Sequence, residues 1–151
     1  MKRVLLAAAL VAVFLSATFA VWYFYQLPQT DVSPVRTLQL GGQTIHISVA
    51  ASESVRQQGL SGRTGLAADE GMLFVFPEDG KYAFWMKDMR FSIDILWLSA
   101  DGRVVYMALN VSPDTYPQVF RPDVPARYVL ELPAGYTKQH NVHIGDVLTL
   151  K

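Results

Sequence analysis

Two acidic residues lie among apolar neighbours, and they are the residues most indicative of a functional site. Asp94 lies in the alternating segment 91–98, on a face that also carries leucines, and Glu131 lies in RYVLEL among apolar neighbours. Burying an unpaired carboxylate costs several kcal/mol. Each should therefore be paired, hydrogen-bonded or protonated inside the domain.

Three cations are candidate partners for Asp94: Lys87, Arg56 and Arg63. Arg56 lies on a predicted helix, and Arg63 lies in a glycine-rich turn of the kind that can present backbone N–H groups to an anion. One interpretation is a fixed salt bridge that positions a loop, and the other is a carboxylate that lines a pocket. The candidate ligand-binding residues are Arg56, Arg63, Trp85, Lys87, Asp94 and Glu131.

The residue types of the chain exclude thiol chemistry and disfavour a metal site. It has no cysteine, which excludes disulfides, a thiolate nucleophile and a zinc–thiolate site. His140, His143 and Asp146 recur every third residue, but Gly145 and the β-branched residues nearby disfavour a helix that would present them together. His46 falls on the polar face of a predicted strand, as a solvated histidine would. We expect no metal site and no cofactor.

Short apolar runs predict the elements that position these residues. A Gly41-Gly42 turn predicts a hairpin within 35–51, and Ser52 to Gly59 has the caps of a short helix. Pro77 to Gly80 predicts a turn. Further strands are predicted at 72–76, 82–86, 91–98, 103–109, 127–132 and 147–150. The pattern predicts a mostly β, antiparallel, β-sandwich-like domain with one or two short helices.

A loop rich in proline is predicted between the last strands. Residues 110–126 contain four prolines, which disfavour a regular strand or helix. Tyr116 and Phe120 lie in this segment. Long loops of this kind often form the lid or rim of a binding site, so these two aromatic residues are expected near any ligand.

The N-terminal segment is predicted to be a membrane anchor. Val4 to Tyr25 carries no charge and is long enough to span a bilayer, and Lys2 and Arg3 should stay in the cytoplasm. We expect a single-pass helix in the inner membrane over 1–25, a linker over 26–34 and an exported domain over 35–151. The alternative is a secreted protein, cleaved after Ala20 by signal peptidase.

The charge balance bears on the choice of partner. The chain has 13 basic and 13 acidic residues, and removal of Lys2 and Arg3 leaves 13 − 2 = 11 basic residues, a net charge of −2. Phosphate recognition needs clustered basic charge. Nucleic acid is therefore not expected as a partner. The expected partners are the inner membrane, through the N-terminal helix, and a small molecule, glycan or protein.

Several segments in succession resemble one prokaryotic family. They are VAASESVRQQGLSGRTGL, GMLFVF, FWMKDMRFSIDILWL, YVLELPAG and HIGD. Together they resemble DUF192, a domain family of unestablished biochemical activity, over roughly 45–150. The resemblance implies a compact, β-sandwich-like fold with an N-terminal signal or anchor. It also implies a shared arrangement of Arg56, Arg63, Lys87, Asp94 and Glu131. Ser61 departs from the family pattern, which has methionine there.

The sequence is compatible with three functions. The first is binding of a small molecule, glycan or protein, with Tyr82, Trp85, Tyr116 and Phe120 providing stacking area. The second is a glycosidase-like hydrolase, in which Asp94 and Glu131 would stand roughly 5–9.5 Å apart as an acid/base pair. The third is a structural role in a membrane complex. The carboxylate separation in a structure distinguishes the second from the others.

Overall fold

The computed structural model describes residues 36–150. This part of the chain contains seven strands: β1 Arg36–Leu40, β2 Gln43–Ala50, β3 Glu70–Gly80, β4 Ile93–Leu98, β5 Val104–Val111, β6 Ala126–Pro133 and β7 Thr149–Leu150. Two short helices, α1 Glu53–Gln58 and α2 Tyr136–Gln139, and a 3-10 turn at Pro113–Thr115 connect them. The predicted mostly β domain with short helices is confirmed.

The strands form one mixed sheet in the order β5-β4-β6-β3-β2-β1-β7. β2 and β3 run parallel, and the other neighbouring pairs are antiparallel. A parallel pair needs a crossover connection, and α1 with the loop after it provides that connection. All seven strands belong to one sheet. The two packed sheets of the predicted sandwich are not formed.

The two edge strands of this sheet approach each other. Arg103, just before β5, forms an antiparallel bridge with Val147, just before β7. The Leu148 amide donates to the Gly102 carbonyl at 2.9 Å, and the Val104 amide donates to the Asp146 carbonyl at 2.8 Å. These bonds curl the sheet toward a closed barrel, which protects edge groups that would otherwise be open to pairing.

The sheet has an apolar core on each face. The first core includes Leu38, Ile45, Leu96, Leu98 and Leu130, and the second includes Met72, Phe74, Ile95, Trp97 and Val129. All six residues of β4 are buried because both faces of this strand are covered. The alternation predicted for 91–98 is confirmed, since successive side chains of a strand point to opposite faces.

Two local predictions are wrong. Pro77 to Gly80 does not turn the chain, because β3 continues through it to Gly80 with an irregular register after Val75. Residues 82–86 form no regular strand, and Phe84 makes an isolated bridge to Phe120 instead. Met86 is buried in the second core, and Phe84 packs against that core. The apolar side chains of segment 82–86 therefore pack inside the domain although its backbone forms no regular strand.

The predicted membrane anchor, 1–25, and the linker, 26–34, lie outside the described residues. Within residues 36–150, no helix has both the length and the apolar character needed to cross a bilayer.

Candidate functional site

Asp94 is fully buried and hydrogen-bonded on both oxygens. Its Oδ1 accepts from the backbone amides of Asn110 at 2.8 Å and Gly135 at 3.2 Å. Its Oδ2 accepts from the Thr137 amide at 3.0 Å and the Thr137 hydroxyl at 2.7 Å. These four bonds tie β4 to the end of β5 and to the first turn of α2, where Gly135 has no side chain to cap the helix.

The predicted partners of Asp94 are therefore wrong. Lys87, Arg56 and Arg63 do not contact it, because backbone amides and one hydroxyl already occupy both carboxylate oxygens. Asp94 has a structural role and lies outside the pocket described below.

Glu131 faces the other side of the sheet. It is directly opposite Ile95 on β4 and Met72 on β3, and both of these belong to the second core. Asp94 is opposite Leu132, one position away, and so points to the first core. The two carboxylates do not share a site, and the acid/base pair of the hydrolase hypothesis is not formed.

One oxygen of the buried Glu131 carboxyl group has no hydrogen-bond partner among the described residues. Its side chain is 6% exposed, and no described residue bonds to its Oε2 atom. Loss of hydration raises its pKa from 4.5 to about 8, although the positive charge of Arg63 acts in the opposite direction. At neutral pH the group is therefore mainly a neutral carboxylic acid, which can both donate and accept a hydrogen bond.

Glu131 lies at the floor of a pocket of about 300 Å³ between α1 and the segment 82–89, here called the α1 pocket. The pocket is lined by Glu53, Arg56, Gln57, Gln58, Gly59, Leu60, Ser61, Phe74, Phe76, Tyr82, Ala83, Phe84, Trp85, Lys87, Met89 and Glu131.

Aromatic rings form much of the pocket wall. Phe76 stacks on Tyr82 with ring centroids 3.5 Å apart, and Phe74 meets Phe84 edge to face at 4.9 Å. Trp85 is 52% exposed at the rim. Such a wall favours flat or apolar groups, since ring faces add stacking to simple burial of surface.

Arg56 is held in place on this wall. Its Nη1 donates to the carbonyls of Ala51 and, at 3.0 Å, Val75, and its guanidinium lies 5.3 Å from the centre of the Phe76 ring. Ser52 caps the start of α1, and Gly59 ends the helix with its amide bonded to the Val55 carbonyl at 2.9 Å. The helix thus fixes a positive charge beside the pocket, and Arg56 has no ion pair within residues 36–150.

The loop after α1 is hydrogen-bonded to the chain around Lys87. The Ser61 hydroxyl donates to the Lys87 carbonyl at 3.0 Å, and the Gly62 amide donates to the Asp88 carbonyl at 3.0 Å. The Lys87 side chain is exposed and has no ion pair within residues 36–150. Arg63 borders a neighbouring cleft of about 340 Å³ that shares Gln58, Gly59 and Ser61 with the α1 pocket.

Four of the six residues predicted from sequence line the α1 pocket: Arg56, Trp85, Lys87 and Glu131. Arg63 lies beside it and acts on Glu131 through its charge. Of the aromatic residues predicted to stack on a ligand, Tyr82 and Trp85 line the pocket, whereas Tyr116 and Phe120 do not.

Sequence reasoning missed three phenylalanines of the pocket wall: Phe74, Phe76 and Phe84. Phe74 and Phe76 are two positions apart in β3, so their side chains project from the same face of the strand, the face that meets the end of α1. The sequence shows that these two residues share a face. Because every residue of the run MLFVF is apolar, it does not show which face of the strand lines a pocket and which packs in the core.

The histidines and nearby carboxylates of the described chain make local contacts. His46 Nε2 lies 3.7 Å from an Asp69 carboxylate oxygen, with both side chains more than half exposed. Asp146 accepts a hydrogen bond from the His143 backbone amide at 2.8 Å. Within residues 36–150, no three histidine or acidic side chains are grouped to hold a metal ion.

Comparison with known families identifies the domain. The family DUF192, described as "Uncharacterized ACR", matches residues 36–150. The chain belongs to the DUF192 family. The predicted resemblance is thereby confirmed, and the match covers the whole sheet together with the α1 pocket. The chain matches no curated protein.

Two solved structures are similar to this DUF192 domain. One, from Sinorhizobium meliloti and described as a "putative transcription regulator", is 35% identical, with a TM-score of 0.70 over 77% of this chain and 91% of that one. The other, a protein of unknown function from Novosphingobium aromaticivorans, is 26% identical, with a TM-score of 0.71 over 80% of this chain and 88% of that one.

Proposed function

We propose that this DUF192 domain binds a small organic molecule in the α1 pocket. The observation that carries the proposal is Glu131, which is 6% exposed and whose Oε2 lacks a hydrogen-bond partner among the described residues. A buried polar atom without a partner costs about 1–3 kcal/mol. A ligand that bonds to this atom recovers that cost, which favours the bound state.

The shape and lining of the pocket support the same function. A volume of about 300 Å³ suits a molecule of one or two rings, and apolar walls with a few polar groups are typical of ligand sites. Asp94 by contrast has all its hydrogen bonds within the protein, so it leaves nothing for a ligand to complete.

The test is a ligand screen on the full chain purified in mild detergent. A library of small organic acids, amines, amides, monosaccharides and peptidoglycan fragments would be screened by ligand-observed NMR. We expect hits that bind the natural protein and lose about tenfold in affinity in Trp85→Ala, because a ring face at the rim is removed.

Tyr116→Ala is the matched control. Tyr116 is 50% exposed, close to the 52% of Trp85, but it does not line the α1 pocket. Its replacement should leave the affinity of the hits unchanged. A screen without hits, or hits that bind both variants equally well, would contradict the proposal.

We also propose that residues 1–25 form a helix that anchors the domain in the inner membrane and that the domain is exported. The charge-free run Val4 to Tyr25 after Lys2 and Arg3 supports this orientation. Mass spectrometry of the mature protein tests it. A chain that retains Met1 or Lys2 in the membrane fraction is expected, and a soluble chain that begins at Val21 would overturn the anchor.

A further inference from the structure

The α1 pocket combines a neutral floor with a cationic rim. Arg56 and Lys87 line the pocket, and neither has a carboxylate within ion-pair distance in residues 36–150. Arg63 adds a third positive charge from the neighbouring cleft. Glu53 is the other acidic residue in the lining, at the opposite end of α1 from Ser61 and Lys87. An anionic group is therefore favoured on the Lys87 side of the rim.

The middle of the pocket favours a flat body. The stacked pair Phe76 and Tyr82 and the rings of Phe84 and Trp85 line it. Arg56 already lies over Phe76 at 5.3 Å, so one cation occupies that ring face before any ligand arrives. A second cation against this aromatic wall would be repelled by Arg56, whereas an uncharged ring would not.

The floor favours an uncharged polar group. Glu131 is the buried side chain there, and its Oε2 is without a partner among the described residues. A carboxylic acid both donates and accepts, so a hydroxyl or an amide satisfies it without a second buried charge.

We infer that the ligand is a small organic anion, with its acid group at the Lys87 side of the rim, an aromatic or similarly flat body against the aromatic wall, and a hydroxyl or amide against Glu131. This inference rests on the proposed function, because it names the class of ligand for the same pocket. The opposite class is an amine whose ammonium group would ion-pair with Glu131.

Three matched probes distinguish the two classes. They are para-hydroxyphenylpropionate, phenylpropionate, which lacks the hydroxyl, and tyramine, which has an amine in place of the acid. Affinities for the full chain in mild detergent would be measured by calorimetry or by NMR titration. We expect para-hydroxyphenylpropionate to bind about tenfold more tightly than tyramine, because the cationic rim attracts one and repels the other. Phenylpropionate should bind more weakly than its hydroxyl analogue, because it leaves Glu131 without a partner.

Two lysine variants locate the acid group. Lys87→Gln should weaken para-hydroxyphenylpropionate binding about fivefold or more. Lys138→Gln makes the same charge change on α2, outside the pocket lining, and should have no effect. Equal effects of the two variants would show that the attraction is not local to the rim, and would overturn the placement of the acid group.

The outcomes separate this inference from the proposed function. Tighter binding of tyramine than of the acid would overturn the anionic class while the pocket remains a binding site. The same conclusion follows if none of the three probes binds but the screen yields other ligands that depend on Trp85. If neither the probes nor the screen yields a Trp85-dependent ligand, both proposals fail.

Discussion

Asp94 and Glu131 lie on neighbouring strands of the sheet but project from opposite faces. Glu131 is paired with Ile95, and Asp94 is paired with Leu132. One residue of offset is enough to separate the two carboxyl groups because side chains alternate along a strand. As a result, one carboxylate holds the fold together and the other faces the α1 pocket.

The first prediction concerns Asp94 as a structural clamp. Asp94→Ala removes the acceptor for four hydrogen bonds and leaves donors on Asn110, Gly135 and Thr137 unpaired, of which the two on Thr137 are buried. We expect the free energy of unfolding to fall by about 3–5 kcal/mol. Urea unfolding followed by circular dichroism measures it.

The control for Asp94 is Asp123→Ala, at an exposed position in the loop before β6. It should change stability by less than about 0.5 kcal/mol. If Asp94→Ala folds, its affinity for pocket ligands should stay within about twofold of the natural protein, since Asp94 does not line the pocket. A nearly neutral effect of Asp94→Ala on stability would contradict the clamp.

The second prediction concerns pH and Glu131. The pKa of this group is about 8 in the folded protein and 4.5 when solvated, so the folded state binds more protons between these values. The contribution of Glu131 to stability is therefore fully present below pH 4.5 and is lost as pH rises through about 8. The total loss is at most roughly 5 kcal/mol.

Glu131→Gln isolates this effect, because glutamine stays uncharged across the range. Relative to the natural protein, the variant should gain stability as pH rises from about 5 to about 8 and should then level off, when both are measured by urea unfolding. Glu78→Gln, at an exposed position, makes the same change and should show no such trend. A constant difference between Glu131→Gln and the natural protein across this range would rule out the raised pKa.

The third prediction concerns the influence of Arg63 on Glu131. The positive charge of Arg63 favours the ionised carboxylate and so lowers its pKa, against the larger effect of burial. Arg63→Gln should therefore raise the pKa of Glu131 above about 8. Carbon-13 NMR of the Glu131 carboxyl reports the titration directly. Arg90→Gln removes one exposed positive charge elsewhere and should leave the midpoint where it is, whereas identical midpoints in all three proteins would exclude the Arg63 interaction.

The alternation within each strand was readable from the sequence, but the register between strands was not. Segment 91–98 and RYVLEL each showed which of their residues share a face, and both assignments hold in the structure. The pairing of Asp94 with Glu131 was wrong because β4 and β6 are distant in sequence, and no residue pattern specifies which of their positions are opposite each other.

The hydrogen-bond partners of Asp94 could not be predicted from the sequence either, and the reason is physical. Three of its four hydrogen bonds come from backbone amides, and every residue except proline carries one. Side-chain patterns therefore point to lysine and arginine as partners even where main-chain donors satisfy the carboxylate. Glu131 could be found because it is a carboxylate among apolar residues. Arg56 and Lys87 were candidates as cations that could pair with Asp94, and Trp85 was a candidate as an aromatic residue that could stack on a ligand.

The fourth prediction concerns Gly71, which lies in β3 beside Glu131 and Leu132 of β6. A Cβ atom there would lie 2.9 Å from the Glu131 carbonyl oxygen and 3.0 Å from Leu132 Cδ2. Because a backbone atom cannot move aside cheaply, Gly71→Ala should destabilise the domain by about 2–3 kcal/mol. Gly65→Ala is the matched control, since a Cβ at that position meets nothing within 4 Å. Urea unfolding of both variants checks the prediction, and equal stabilities would mean that the two strands are farther apart at Glu131 than this packing requires.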